Sequence, residues 1–80
     1  MTTIIGIKLV NREHDAAKLQ EILTKFGCYI KTRIGLHQVE NSTCHPSGII
    51  LIEVIDNEKA KELEVKLCDI DSIEIQRMVF

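Results

Sequence analysis

The chain has 80 residues, the length of one small domain (1–80) whose core is only marginally sufficient for stability. Its formal net charge is −2 and it contains no run of lysine or arginine, which argues against nucleic-acid binding through phosphates. The longest apolar run is too short for a membrane span, and the first residues lack the features of a signal peptide. Three cysteines without CxxC spacing indicate a reducing compartment, so we expect a cytoplasmic protein.

The first two predicted elements are a strand and a helix. Residues 3–10 alternate, with Ile5, Ile7 and Leu9 on one face and a second, largely apolar face formed by the residues between them. Residues 11–27 are predicted to form an amphipathic helix, because apolar side chains recur at spacings of three and four. Its apolar stripe consists of Ala16, Leu19, Ile22, Leu23 and Phe26.

A hairpin is predicted for residues 28–56, in which a polar loop over 38–48 joins two strands. The first strand has period-two alternation, with one face formed by Cys28, Ile30, Thr32, Ile34 and Leu36. The second strand, 49–55, is apolar on both faces except at Glu53, which indicates either a central position in a sheet or a position under a second layer. With the hairpin centred near residue 43, Arg33 lies opposite Glu53, and the two can form an ion pair that is either solvated or buried by oligomerisation.

The last two elements are a helix and a strand. Asp56 or Asn57 caps a helix whose buried side carries Ala60, Leu63 and Leu67. Residues 72–80 form a final strand. The order βαββαβ predicts an α+β, ferredoxin-like sandwich in which two helices cover one face of a four-stranded antiparallel sheet.

The second sheet face should be bare, yet it is predicted to be apolar, with Ile4 and Val10 next to the second hairpin strand. An exposed apolar surface of that size usually marks an association surface. We therefore expect a homo-oligomer, a dimer or tetramer. Its predicted interface consists of Ile49, Leu51, Glu53 and Ile55.

Polar residues with chemical capacity cluster in or beside the hairpin loop. His37, Cys44 and His45 are transition-metal ligand types, but their spacing is not diagnostic of a metal site. Adjacent Cys44 and His45 rarely form a catalytic pair, and the chain has no carboxylate dyad or phosphate-binding glycine loop, so we expect neither an enzyme nor a resident cofactor. Cys28 and Cys68 are interpreted as packing residues.

Two segments carry a resemblance to a known family: Asn11-Arg12-Glu13, before the first helix, and Arg33-Ile34-Gly35, in the second strand. Over essentially its whole length the chain resembles the regulators of iron-only hydrogenase systems, whose fold is similar to ACT domains and to the ligand-binding domain of the nickel-responsive repressor. The resemblance implies a regulatory domain that associates through its sheets. The nickel-binding relatives have a His-x-His pair on the strand matching 49–55, which this chain lacks, so their metal site is not transferred.

Three hypotheses follow. The first is a non-enzymatic, oligomeric regulatory module that binds a small effector between subunits, with Arg33, Gly35, His37, Cys44 and His45 as the ligand-binding residues. The second is a metal-binding regulator that uses the loop histidines and cysteine. The third is a purely structural assembly subunit.

Overall fold

The computed structural model describes the backbone of residues 2–10, 12–40 and 43–80, and the side chains of 2–10, 15–35 and 48–80. Four strands and two helices follow one another in the predicted order. They are β1 (Thr3–Leu9), α1 (Arg12–Lys25), β2 (Ile30–Glu40), β3 (Thr43–Val54), α2 (Asn57–Leu67) and β4 (Ile73–Val79), with a short 3-10 helix at Gly27–Tyr29 before β2.

The strands form one antiparallel sheet in the order β2-β3-β1-β4. This is the ferredoxin-like α+β arrangement, so the predicted fold class is confirmed. β3 lies between β2 and β1, as its apolar character on both faces predicted. The two helices lie against one face of the sheet.

The core lies between that helix-covered face and the two helices. Each strand contributes alternate residues, and each helix contributes residues spaced three or four apart, as the hydrophobic periodicity requires. The buried members are Ile5, Ile7, Leu9, Leu19, Leu23, Ile52, Val54, Ala60, Leu63, Leu67 and Ile70. Asp15, 6% exposed near the start of α1, accepts a hydrogen bond from the Ser72 hydroxyl, which ties α1 to the segment before β4.

Local signals at α2 agree with the sequence. The N-cap is Asp56, whose Oδ1 accepts the backbone N–H of Glu58 at 2.8 Å. Lys59 lies 3.2 Å from a carboxylate oxygen of Glu62 and 4.9 Å from the ring centroid of Tyr29. The hydrogen bond and charge of Glu62 raise the pKa of Lys59 above its ordinary value.

The predicted faces of β2 were wrong beyond its first residue. Ile30 pairs with Val54 whereas Thr32 pairs with Glu53, so Lys31 is an extra residue, a β-bulge, in β2. The bulge exchanges the two faces: Ile30 packs against the core, but Ile34 is 49% exposed. Arg33 pairs with Ile52 rather than with Glu53 and points to the helix side, so the predicted Arg33–Glu53 ion pair does not form.

Two further expectations are corrected. The polar loop expected over 38–48 is largely strand, because β2 continues to Glu40 and β3 begins at Thr43. Cys28 and Cys68 are both exposed and are not core packing residues. Cys28 lies in the 3-10 helix before β2, and Cys68 is the C-cap of α2, so both sit where an element ends and the core does not reach.

Candidate functional site: the open face of the sheet

The sheet face opposite the helices, called the open face below, is uncovered by the part of the chain that the structure describes. Each of the four strands contributes both aliphatic and polar side chains to it. The described members of the open face are Ile4, Gly6, Lys8, Thr32, Ile34, Ile49, Leu51, Glu53, Glu74, Gln76 and Met78. Ile34, Ile49 and Met78 are 49%, 37% and 54% exposed, so the face presents apolar surface to solvent.

A groove of about 310 Å³ runs across the open face over β1. Its walls come from the neighbouring strands, and Gly6 lies in its floor between Leu51 of β3 and Gln76 of β4. A Cβ added at Gly6 would lie 3.5 Å from Cδ2 of Leu51, which is an ordinary contact. The groove therefore exists because β1 has no side chain at this point. The residues that line it are Ile4, Gly6, Ile7, Lys8, Ile49, Leu51, Glu74, Gln76 and Met78.

Charges lie at both ends of the open face. Lys8 and Glu74 are register partners at one end of the groove. Glu53 lies at the other end of the face, opposite Ile4, and one of its carboxylate oxygens accepts the Thr32 hydroxyl at 3.4 Å. An apolar floor with a cation and a carboxylate at one end can accept a molecule that has an apolar body and a polar or charged group.

The predicted ligand-binding residues are not gathered on this face. The guanidinium of Arg33 donates to Oε1 of Gln20 in α1 at 2.6 Å, on the helix side of the sheet. Gly35 is on the same side of β2 as Arg33, where a Cβ would meet no atom within 4 Å. The side chains of His37, Cys44 and His45 lie outside the described residues. The backbone register places His37 opposite Gly48 and Cys44 opposite Val39. The role of these five residues in ligand binding stays a prediction.

The predicted interface residues Ile49, Leu51 and Glu53 lie together on the open face, and Ile55 follows β3 with 59% of its surface exposed. Their burial by another subunit stays a prediction. Four residues that line the groove were not predicted as site residues: Lys8, Glu74, Gln76 and Met78. The sequence feature that could have indicated the groove is Gly6, because an isolated glycine inside a strand often marks the close approach of a ligand or of another backbone.

Two classes of feature are absent from the described residues. They hold no group of three or more histidine, cysteine, aspartate or glutamate side chains that could bind a metal ion. None of the helices described is both long enough and apolar enough to cross a membrane.

Comparison with known proteins gives the fold and no family. No protein-family model matches the chain. No curated protein matches it in sequence. Among solved structures, it is similar to uncharacterized protein TM1266 from Thermotoga maritima, with 24% identity, a TM-score of 0.80, and coverage of 96% of this chain and 92% of that one.

The chain is also similar to two dimeric ferredoxin-like proteins, with lower TM-scores. One, of unknown function, is from Thermobifida fusca YX (8% identity, TM-score 0.53, covering 99% of this chain and 92% of that one). The other is from an uncultured marine organism (9% identity, TM-score 0.54, covering 96% and 89%). These identities are too low to transfer an activity, so the likenesses establish a ferredoxin-like domain.

Proposed function

We propose that this chain is a non-enzymatic regulatory module that associates with copies of itself through the open face and binds a small effector in the groove at the interface. The observation that carries the proposal is the groove over Gly6, which is apolar in its floor and charged at one end. Two structural neighbours are dimeric ferredoxin-like proteins, which supports association. The sequence resemblance suggests the setting, an iron-only hydrogenase system.

The physical reason for association is the apolar content of the open face. Burial of apolar surface stabilises a complex by about 25 cal/mol per Å² before the costs of association are subtracted. Leu51 lies directly beside Ile34 and is a diagonal neighbour of Ile4, and Ile49 is on the same face two residues before it, so a second open face can cover an aliphatic area at the centre of the sheet. The hydrophobic core of a single domain of this size gives only modest stability, so burial of further apolar surface by association stabilises the folded chain.

The charges of the open face favour one arrangement of the two copies. A two-fold axis that crosses the strands exchanges the two ends of the face. It brings the end of one copy that carries Lys8 over the end of the second copy that carries Glu53, and the same contact forms twice. Lys8 would then be shared between Glu53 of the second copy and the anionic group of the effector.

The assembly is tested by replacing Leu51, at the centre of the open face, with lysine. We expect Leu51→Lys to sediment as a smaller species than the unmodified protein at the same concentration, because each copy would have to bury a new charge in the open-face contact. Val65→Lys is the matched control, because Val65 is 68% exposed on α2 and lies away from the open face. Equal sedimentation of the unmodified protein and both variants would overturn the assembly.

The effector is tested by a thermal-shift screen of small carboxylates, nucleotides, amino acids and divalent metals. A ligand that binds the folded state raises the melting temperature by mass action. We expect a hit among amphipathic anions, lost in Lys8→Met and retained in Arg33→Met. A shift caused only by metals and lost in His37→Ala supports the metal-binding alternative instead. The absence of any shift in the screen supports the purely structural alternative.

A further inference from the structure

The outer edge of β4 offers unpaired backbone groups. In the described sheet β4 has β1 as its one neighbour. Thr2 and Phe80 exchange backbone hydrogen bonds of 3.3 and 2.9 Å, which fixes the phase of the β1–β4 ladder. Because bonding direction alternates along an antiparallel strand, Met78, Gln76 and Glu74 direct their N–H and C=O groups to β1. The backbone groups of the intervening residues point to the free edge, namely those of Ile73, Ile75, Arg77 and Val79.

This edge lacks two of the features that usually prevent strands from pairing, a β-bulge and a proline. The register between β1 and β4 runs without a shift from Thr3↔Val79 to Leu9↔Ile73, and β4 contains no proline. The other edge strand, β2, has register irregularities between Ile30 and Thr32 and between His37 and Val39. Bulges of that kind blunt an edge, so β4 is the edge better suited to pairing.

A cavity of about 350 Å³ opens beside this edge, between the end of α2 and the helix-facing side of β4. Its lining includes Leu67 and Ile70 together with Ile73 and Ile75 of β4. Val79 is on the same face of β4 as Ile73 and Ile75, and 49% of its surface is exposed. The edge therefore combines free backbone groups, a recess of mixed aliphatic and polar lining, and an exposed aliphatic side chain.

We propose that β4 pairs antiparallel with β4 of a second copy, centred on Gln76, to form one sheet that is continuous across both copies. This register overlaps the whole of Ile73–Val79 and places Val79 of each copy opposite Ile73 of the other, next to the cavity. Centring the pair on Arg77 would oppose two like charges and is unfavourable. The Arg77 guanidinium is held by Glu64 of its own α2 at 3.4 Å, so it does not obstruct the edge.

The β4 edge interface is separate from the open face and is independent of any effector. A chain that uses both surfaces assembles as a tetramer with two kinds of interface, whereas a chain that uses one assembles as a dimer. The Leu51→Lys substitution removes the open-face contact, so that the β4 edge is the one proposed interface that can still join two copies. In that background we expect the protein to be a dimer at high concentration rather than a single chain.

The decisive variant is Arg77→Pro. The N–H of Arg77 points to the free edge, so proline there removes a bond between copies without removing a bond to β1. Arg77→Ala is the matched control, because it also loses the ion pair with Glu64 but keeps the N–H. In the Leu51→Lys background we expect Arg77→Pro to sediment as a single chain and Arg77→Ala as a dimer. Equal masses for the two variants would overturn the proposal.

Amide hydrogen exchange on the unmodified protein provides a test that no substitution can disturb. The amides of Ile75, Arg77 and Val79 exchange rapidly in an isolated chain, because they face solvent, whereas those of Gln76 and Met78 are protected by β1. The proposal predicts that all five amides are protected at high concentration, and that dilution exposes the three outward ones. Rapid exchange of the outward amides at every concentration would contradict it.

Discussion

The assignment of β3 residues to the core face and to the open face can be tested by making the same substitution, isoleucine to valine, on each face. Ile52 is 1% exposed in the core, and Ile49 is 37% exposed on the open face. Both positions lie on one strand, so Ile52→Val and Ile49→Val remove the same methylene from the same kind of backbone. A difference between the two variants in the free energy of unfolding therefore reflects how deeply each face of the sheet is buried.

The expected magnitudes follow from burial. Removal of a fully buried methylene loses about 0.8 kcal/mol of transfer free energy, and the cavity left behind brings the usual range for isoleucine to valine to about 0.5–1.5 kcal/mol. We expect Ile52→Val to lower the free energy of unfolding by about 1 kcal/mol, which for a domain of this size lowers Tm by about 4–8 °C. In the isolated chain Ile49→Val should lower it by less than about 0.5 kcal/mol, because part of the methylene is already in water.

Urea unfolding at two protein concentrations measures these values. The loss caused by Ile52→Val should be the same at both concentrations, because the helices cover this residue within one chain. The loss caused by Ile49→Val should grow with concentration, because assembly through the open face completes the burial of that side chain. Equal losses for the two variants in samples shown to contain only single chains would refute the assigned faces of β3.

The remaining predictions concern α2, the charges of the open face and the groove. Asp56→Ala should lower the free energy of unfolding by about 1 kcal/mol in urea titration, while Asp56→Ser should retain most of it, because serine can still accept the Glu58 amide. Glu53→Lys should shift sedimentation toward the single chain, and combining it with Lys8→Glu should restore the assembly; failure of the double variant would argue against the crossed arrangement. Gly6→Ala should fold normally, since its Cβ meets Leu51 at an ordinary distance, but should reduce the thermal shift caused by an effector.

Local patterns were sufficient to predict most of the fold. Strands β1 and β3 have the faces that alternation predicted, and Leu19, Leu23, Leu63 and Leu67 are buried as helical spacing required. The pattern failed in β2, where the bulge at Lys31 exchanges the faces without any change in composition. A single inserted residue inverts every later side chain, because the side-chain period of a strand is two.

The candidate site was less accessible to sequence reasoning. Arg33 and His37 were chosen because they are the kinds of side chain that bind anions, but Arg33 is engaged by Gln20 on the helix side. The groove instead depends on the absence of a side chain at Gly6 and on the adjacency of β1 and β4, which are far apart in the chain. Such long-range placement follows from topology, so Gln76 and Met78 could be assigned to the site only after the sheet order was known.

The most direct test of the whole account is sedimentation equilibrium of the unmodified protein across a wide range of concentrations. We predict a reversible transition from a single chain to a dimer or tetramer, with the open face withdrawn from solvent in the larger species. A protein that stays a single chain of unchanged stability at the highest concentration would contradict the account, because its aliphatic sheet face would then be stable in contact with water.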